Sequence, residues 1–298
     1  MSSKKRRIFG RAVPTLVAVV ALALVWTGDS AVAASSQDGD MADVLVRVGR
    51  YARRYFVRAQ TLVCHEHVRM QPIGRDLIGN GRARRLEHEL RVEWAPGPLG
   101  APAEATVVRQ LLTVDGRAPD PKDEPGCMDP SSVLPEPLAM FLPEQQSDYV
   151  FTPDGTGRAA GRRALKIEYK ATTQGPPEIV WKEGCVSVDL PGRSKGRVWV
   201  DEASGAVLRI DEHLGGLFEI PVPRDQQRRG SPRTMVIERV DTSIHYERVT
   251  FHDPEETLLM PANIVTVTVV RNAGVPRMRT TQTFSNYRRF VTDVRLLD

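Results

Sequence analysis

Residues 61–70 read TLVCHEHVRM, and four consecutive positions, Cys64, His65, Glu66 and His67, carry side chains able to bind metals, move protons or attack carbonyl groups. Two imidazoles can share a divalent cation, because neutral histidine is a common zinc ligand. A cysteine beside a histidine can act as a thiolate nucleophile. In an exported chain the same cysteine can instead enter a disulfide. Side-chain direction chooses among these chemistries. On a strand, alternate residues share a face, so His65 and His67 stand together, roughly 6.5–7 Å apart along the chain. Cys64, Val68 and Met70 form the less polar set, with Glu66 among them, and this set is expected to face inward. His65, His67 and Arg69 are then expected to face solvent. The nearest third ligand is His88, which shares its face with Leu86, Leu90, Val92 and Trp94. The two histidine sets therefore fall on opposite sides of a sheet. His65 and His67 remain an incomplete metal pair, and His88 reads as a core histidine with satisfied polar atoms.

No other catalytic signature accompanies the stretch. His65-Glu66 and His88-Glu89 do not continue into the H-E-x-x-H spacing of zinc proteases, and no G-x-S-x-G elbow, phosphate loop or dinucleotide fingerprint occurs. A metal-dependent hydrolase built on His65 and His67 is kept as one functional reading, and a protein without catalysis is the preferred one.

The elements that must position these residues are legible from periodicity. From Met41 to Val63 apolar residues recur at helical spacing, including Val44, Val48, Ala52, Tyr55, Phe56 and Ala59, with Arg47, Arg50, Arg53, Arg54 and Arg58 between them. That is an amphipathic helix with a basic outer face, expected to pack on a sheet. The period then changes to two. Arg85 to Trp94 alternates apolar and charged residues, as a strand with one wet face does. From Asp148 onward, short strands are joined by Gly, Asn and Asp turns, the pattern of an antiparallel sheet. A Pro-rich stretch, residues 118–143, and a polar loop, residues 221–232, read as insertions.

The N-terminus reads as an export signal. Lys4, Lys5, Arg6 and Arg7 precede an apolar run from Ala12 to Trp26, and Ala31-Val32-Ala33 supplies a small-x-small cleavage pattern. Cleavage near Ala33 would release a single domain, residues 34–298, into the periplasm or the medium. Lys and Arg total 41 against 37 Asp and Glu, but Lys4, Lys5, Arg6, Arg7 and Arg11 precede the cut and only Asp29 opposes them. The remainder carries equal numbers of both signs, which argues against a nucleic-acid partner. Cys64, Cys127 and Cys185 leave three possible disulfides. The preferred one is Cys127–Cys185, because the Pro-rich loop around Cys127 otherwise has little to hold it.

Three stretches carry a family resemblance. Gly196-Arg197-Val198-Trp199-Val200-Asp201 followed by Ser204-Gly205-Ala206-Val207-Leu208-Arg209-Ile210 resembles a hairpin of the LolA/LolB-like exported proteins, a group that includes lipoprotein carriers and RseB-type sensor subunits. Leu259-Met260-Pro261-Ala262-Asn263-Ile264 resembles the opening of another strand of that architecture, and Thr283-Phe284-Ser285-Asn286-Tyr287-Arg288-Arg289-Phe290 resembles its closing strand. Secreted proteins of acidobacterial type show the same run of features. The resemblance implies an α+β fold: a strongly bent antiparallel β-sheet, a half-open barrel, packed on an N-terminal amphipathic helix. It further implies a hollow able to hold a lipid or a lipoprotein acyl chain, with Leu86, His88, Leu90, Val92, Trp94 and Trp199 as expected lining. The expected function is non-enzymatic binding of an apolar ligand in the cell envelope, without a cofactor. A protein-interaction or envelope-sensor module, with the hollow filled and an envelope protein as partner, is the alternative.

Overall fold

The computed structural model describes residues 30–59, 61–95, 104–120, 136–182, 185–227, 232–252, 255–272 and 277–289. The chain divides between Gly39 and Asp40, and the core described below belongs to the unit that begins at Asp40. The expected signal segment falls mainly on residues 1–29, outside the described residues. So does Cys127, and with it the expected Cys127–Cys185 bridge. Among the described residues, no helix is long and apolar enough to cross a membrane.

Helix α1 (Ser30–Arg58) is followed by β1 (Thr61–Pro72), β2 (Arg84–Ala95), β3 (Glu104–Val114), β4 (Tyr149–Ala159) and β5 (Arg162–Ala171). Then come β6 (Glu178–Lys182), β7 (Cys185–Asp189), β8 (Ser194–Asp201), β9 (Val207–Leu214), β10 (Phe218–Pro221), β11 (Thr234–His252), β12 (Glu255–Arg271) and β13 (Arg277–Arg289). Eleven strands make one antiparallel sheet in the order β3-β2-β1-β13-β12-β11-β9-β8-β5-β4, with β10 added beside β11. Strands β6 and β7 form a separate hairpin. Strands β3 and β4 end the path without pairing to each other, so the sheet is not closed into a barrel. This is the expected α+β architecture.

The helix and the sheet share one core because each is apolar on one side. Val44, Val48, Ala52, Tyr55, Phe56 and Ala59 of α1 are buried, at the spacing that puts them on one stripe. They join Leu90 and Val92 of β2, Ile167 of β5, Val198 and Val200 of β8, and Ile210 of β9 in a single cluster. The apolar periodicity runs on to Val63, but the helix stops at Arg58, and Leu62 and Val63 belong to β1. Both flanks of β1 are taken, by β2 and by β13, so the ladders claim backbone groups that a longer helix would need.

The Pro-rich insertion contributes a plug. Its 3-10 turn, Glu136–Phe141, buries Leu138 and Phe141 completely. Gln146 Nε2 donates to Phe141 O at 2.8 Å and to Leu45 O at 3.1 Å, tying the plug to the helix backbone. Gly49 permits that approach, since a Cβ there would lie 2.9 Å from Phe141 O. Residues of α1 and of this plug thus share one core cluster with the apolar face of the sheet.

The β8–β9 hairpin is pinned at its turn. Asp201 Oδ1 accepts from Ser204 Oγ at 2.6 Å and from Ser204 N at 2.8 Å. Gly205 adopts φ +70°, and a Cβ there would press on the Arg47 backbone at 3.1 Å. Glycine is required there by conformation and by the close approach of α1. The Pro261 segment lies inside β12 instead of opening a strand. A register shift between His245 and Tyr246 of the partner strand accommodates the ring, as proline in a sheet requires. Tyr287 OH donates to Pro261 O at 2.6 Å, so the second and third resemblance stretches touch.

Candidate functional site

The question raised by CHEH is answered by the register of β1. Cys64, Glu66 and Val68 are buried and His67 is exposed, as the alternation requires. His65 and His67 lie on the wet face, where His67 Nδ1 approaches Glu87 Oε1 at 3.5 Å and His65 Nδ1 lies 3.5 Å from Asn286 Nδ2. His88 is the cross-strand partner of Glu66 and is buried with it. Among the described residues, no three His, Cys, Asp or Glu side chains converge as a metal site.

Glu66 is fully buried and holds a polar network inside the sheet. Its Oε1 accepts from Arg109 Nη2 at 2.9 Å and from Gln282 Nε2 at 2.9 Å. Its Oε2 lies 2.9 Å from Arg109 Nε and 3.3 Å from His88 Nδ1. Burial pushes this carboxyl up, but hydrogen bonding by His88, the charge and hydrogen bonds of Arg109, and the amide of Gln282 outweigh it and hold it below its ordinary 4.5. The Glu66 carboxylate is ion-paired with Arg109 inside the sheet and lies beside His88, an arrangement that suits a structural role. The neighbouring thiol is equally inert. Burial, and then the charge of Glu66, pushes Cys64 up to about 12, so it is not a thiolate at neutral pH.

A serine, a histidine and an aspartate do meet elsewhere, on the wet face of β9 and β11. Ser243 Oγ lies 3.2 Å from His245 Nε2 and donates to Asp211 Oδ1 at 2.6 Å. The carboxylate is bonded to the serine and not to the imidazole, whereas a nucleophile–base pair needs its third group on the base. Burial, with the charge of Arg209, also pulls His245 below its ordinary value and weakens it as a base.

Open space of a different character lies where α1 meets β11 and β12. A cleft of about 230 Å³ is floored by Tyr55, Ala206, Leu258 and Leu259. Its rim carries Arg54 and Arg58 from the helix, Arg162 at the start of β5 and Arg248 from β11. These four cations are not equivalent. Arg58 Nη1 reaches Glu256 Oε2 at 3.4 Å, and Arg289 shares that carboxylate. Arg162 Nε reaches Asp201 Oδ2 at 3.1 Å. Arg54 and Arg248 are exposed and meet no carboxylate among the described residues. Behind the floor, the hydroxyls of Tyr55 and Tyr246 are buried without a hydrogen-bond partner among the described residues, and burial drives both phenols well above their ordinary value.

The residues expected to line a hollow fall in several places. Leu86 packs with Val68 and Val114 in a small satellite cluster, and His88 belongs to the Glu66 network. Leu90 and Val92 are in the main core. Trp94 lies in β2, with its side chain outside what is described. Trp199 alternates with buried Val198 and Val200 and so stands on the opposite face, with Arg209 4.6 Å and Arg197 5.9 Å from its ring centre. Sequence reasoning picked out the basic face of α1. It could not pick Arg162 and Arg248, because each is one charge on an ordinary alternating strand.

No family model matches the chain, and no curated protein does. Solved structures do. An outer membrane lipoprotein-sorting protein domain from Vibrio parahaemolyticus matches at 9% identity with a TM-score of 0.41, over 82% of this chain and 93% of that one. A DUF1329 family protein from Desulfovibrio piger matches at 8% identity with a TM-score of 0.39, over 84% and 92%. The MucA/MucB complex of Pseudomonas aeruginosa matches at 11% identity with a TM-score of 0.22, over 82% and 93%. The lipoprotein-sorting group that the sequence motifs resemble is thus among the structures matched. At these identities and TM-scores the likenesses carry no weight for function.

Proposed function

We propose that this chain is a non-enzymatic binding protein of the cell envelope that takes the apolar end of an anionic amphiphile in the cleft between α1 and the β11–β12 hairpin. The carrying observation is the apolar floor of Tyr55, Leu258 and Leu259 beneath two arginines, Arg54 and Arg248, that lack a carboxylate partner among the described residues. An acyl chain would cover the floor, and its acidic head would meet the two guanidinium groups, which present planar donors matched to carboxylate or phosphate. At about 230 Å³ the cleft is smaller than the roughly 300–1,000 Å³ of pockets that enclose a whole small molecule, so it suits one end of a longer ligand. The envelope location rests on the signal-like residues 1–33.

Native mass spectrometry of the chain purified without detergent from the cells that export it tests this. A lipid-sized mass excess that is lost on denaturation is expected. A bare protein that also fails to bind a fluorescent fatty acid would overturn the reading. One observation favours a second reading, an interaction module with a filled hollow: Val48 of α1 and Leu138 and Phe141 of the plug are completely buried in the main core. Bare protein together with specific recovery of an envelope protein would move the function there.

A further inference from the structure

We infer that the wet face of β4, β5, β8 and β9 carries a second binding site, for a compact oxyanion of the phosphate or sulfate type, held between Lys170 and Lys195. The two lysines are direct cross-strand partners on β5 and β8. Like charges placed opposite each other destabilise a sheet. Both side chains are exposed, and neither meets a carboxylate within ion-pair distance among the described residues. They line a groove of about 390 Å³, which has more room than the arginine-rimmed cleft.

The row continues the argument. Val150, Lys170, Lys195 and His213 are successive cross-strand partners, and His213 Nδ1 lies 2.9 Å from Asp241 Oδ1 at the far end. One step along the strands, the neighbouring row is Thr152, Glu168, Arg197, Asp211 and Ser243. There the charges alternate and cancel. Glu168 Oε1 accepts from Arg197 Nη2 at 2.9 Å, and Asp211 accepts from Arg209 at 2.8 and 2.7 Å and from Ser243. The two carboxylates of that row are therefore engaged, and among the described residues the Lys170–Lys195 pair meets no counter-charge within ion-pair distance. An oxyanion between the two ammonium groups supplies it, accepting charge-assisted hydrogen bonds from both sides. The anion is free in solution or is the headgroup of a larger ligand, and the chemistry at the lysines is the same.

The test titrates the full chain with inorganic phosphate at constant ionic strength, by calorimetry and by thermal melting, and with phosphatidylglycerol vesicles against phosphatidylcholine vesicles. Wild type is expected to bind phosphate or the anionic vesicles and to melt higher when it does. Lys170→Gln/Lys195→Gln is expected to lose that affinity at least tenfold, while melting no lower than wild type without the anion, because its removal relieves the repulsion. In an Arg54→Gln/Arg248→Gln background the lysine substitutions are expected to lower phosphate affinity by the same factor, which separates this site from the cleft. Lysine-dependent phosphate binding identifies a free oxyanion as sufficient, and lysine-dependent binding of vesicles alone identifies a headgroup. Wild type that binds neither, or a double variant that binds as wild type does, overturns the proposal. Should the double variant not fold, the single variants Lys170→Gln and Lys195→Gln carry the same comparison.

Discussion

Arg109 and Arg54 are the same side chain in opposite circumstances. Arg109 is buried against Glu66, with His88 and Gln282 completing the group. Arg54 stands exposed beside an apolar cleft, across from Arg248, with no carboxylate to answer it among the described residues. At Glu66 the buried carboxylate is paired with a guanidinium, because a lone buried charge would cost several kcal/mol in desolvation. At the cleft, water screens the guanidinium groups, so they can stay unpaired at little cost and remain available to a ligand. Cancelled charge marks structure here, and uncancelled charge marks the place where something else fits.

The comparison breaks first at Glu66. Glu66→Ala takes the carboxylate away from the buried guanidinium of Arg109, and a loss of about 3–5 kcal/mol is expected from urea unfolding, the usual cost of removing one partner of a buried pair. The same carboxylate sets an acid limit. Its folded pKa lies below its ordinary value, so its contribution is complete above about 4.5 and is lost as pH falls through the folded value. Melting followed from pH 6 to pH 2 should show that loss in wild type and a shallower slope in Glu66→Gln. An equal slope would show that Glu66 is not the group being protonated.

At the cleft the signs reverse. Arg54→Gln/Arg248→Gln should leave stability within about 0.5 kcal/mol, as exposed substitutions do. Binding of a fatty-acid anion should fall by about tenfold or more, since a charge-assisted hydrogen bond contributes about 1.5–3 kcal/mol. A fatty alcohol of the same length, measured by displacement of a fluorescent probe, should bind both proteins alike. The smallest effect is expected between the two regions. Tyr246→Phe removes a buried hydroxyl that has no partner among the described residues, and a gain of up to about 1 kcal/mol should appear in the same unfolding assay. A loss instead would reveal a hidden partner for that hydroxyl.

Much of this was legible in local pattern. The stripe Val44, Val48, Ala52, Tyr55 placed α1 and its buried face, and the alternation of β1 and β2 placed His65 and His67 opposite His88. Ser204 and Gly205 read as part of a hairpin turn and lie in one, with Asp201 closing the strand before it. The cleft was not legible, because its walls come from residues 51–58, 162, 204–206, 248 and 257–259. Trp199 shows the limit from the other side. The family resemblance implied that it lines a hollow; the pleat puts it opposite Val198 and Val200, beside Arg197 and Arg209.

The amino-acid sequence by itself determined the periods, and therefore the helix, the strands, their inner faces and most of their turns. Those follow from interactions between residues a few positions apart, which the chain cannot avoid making. Only the tertiary structure decided which partners met. Glu66 finds Arg109 forty-three residues away and Gln282 two hundred and sixteen residues away, while Lys170 is brought opposite another lysine. Strand order and register make those meetings, and they are set by packing the whole sheet against α1, so no local stretch contains them.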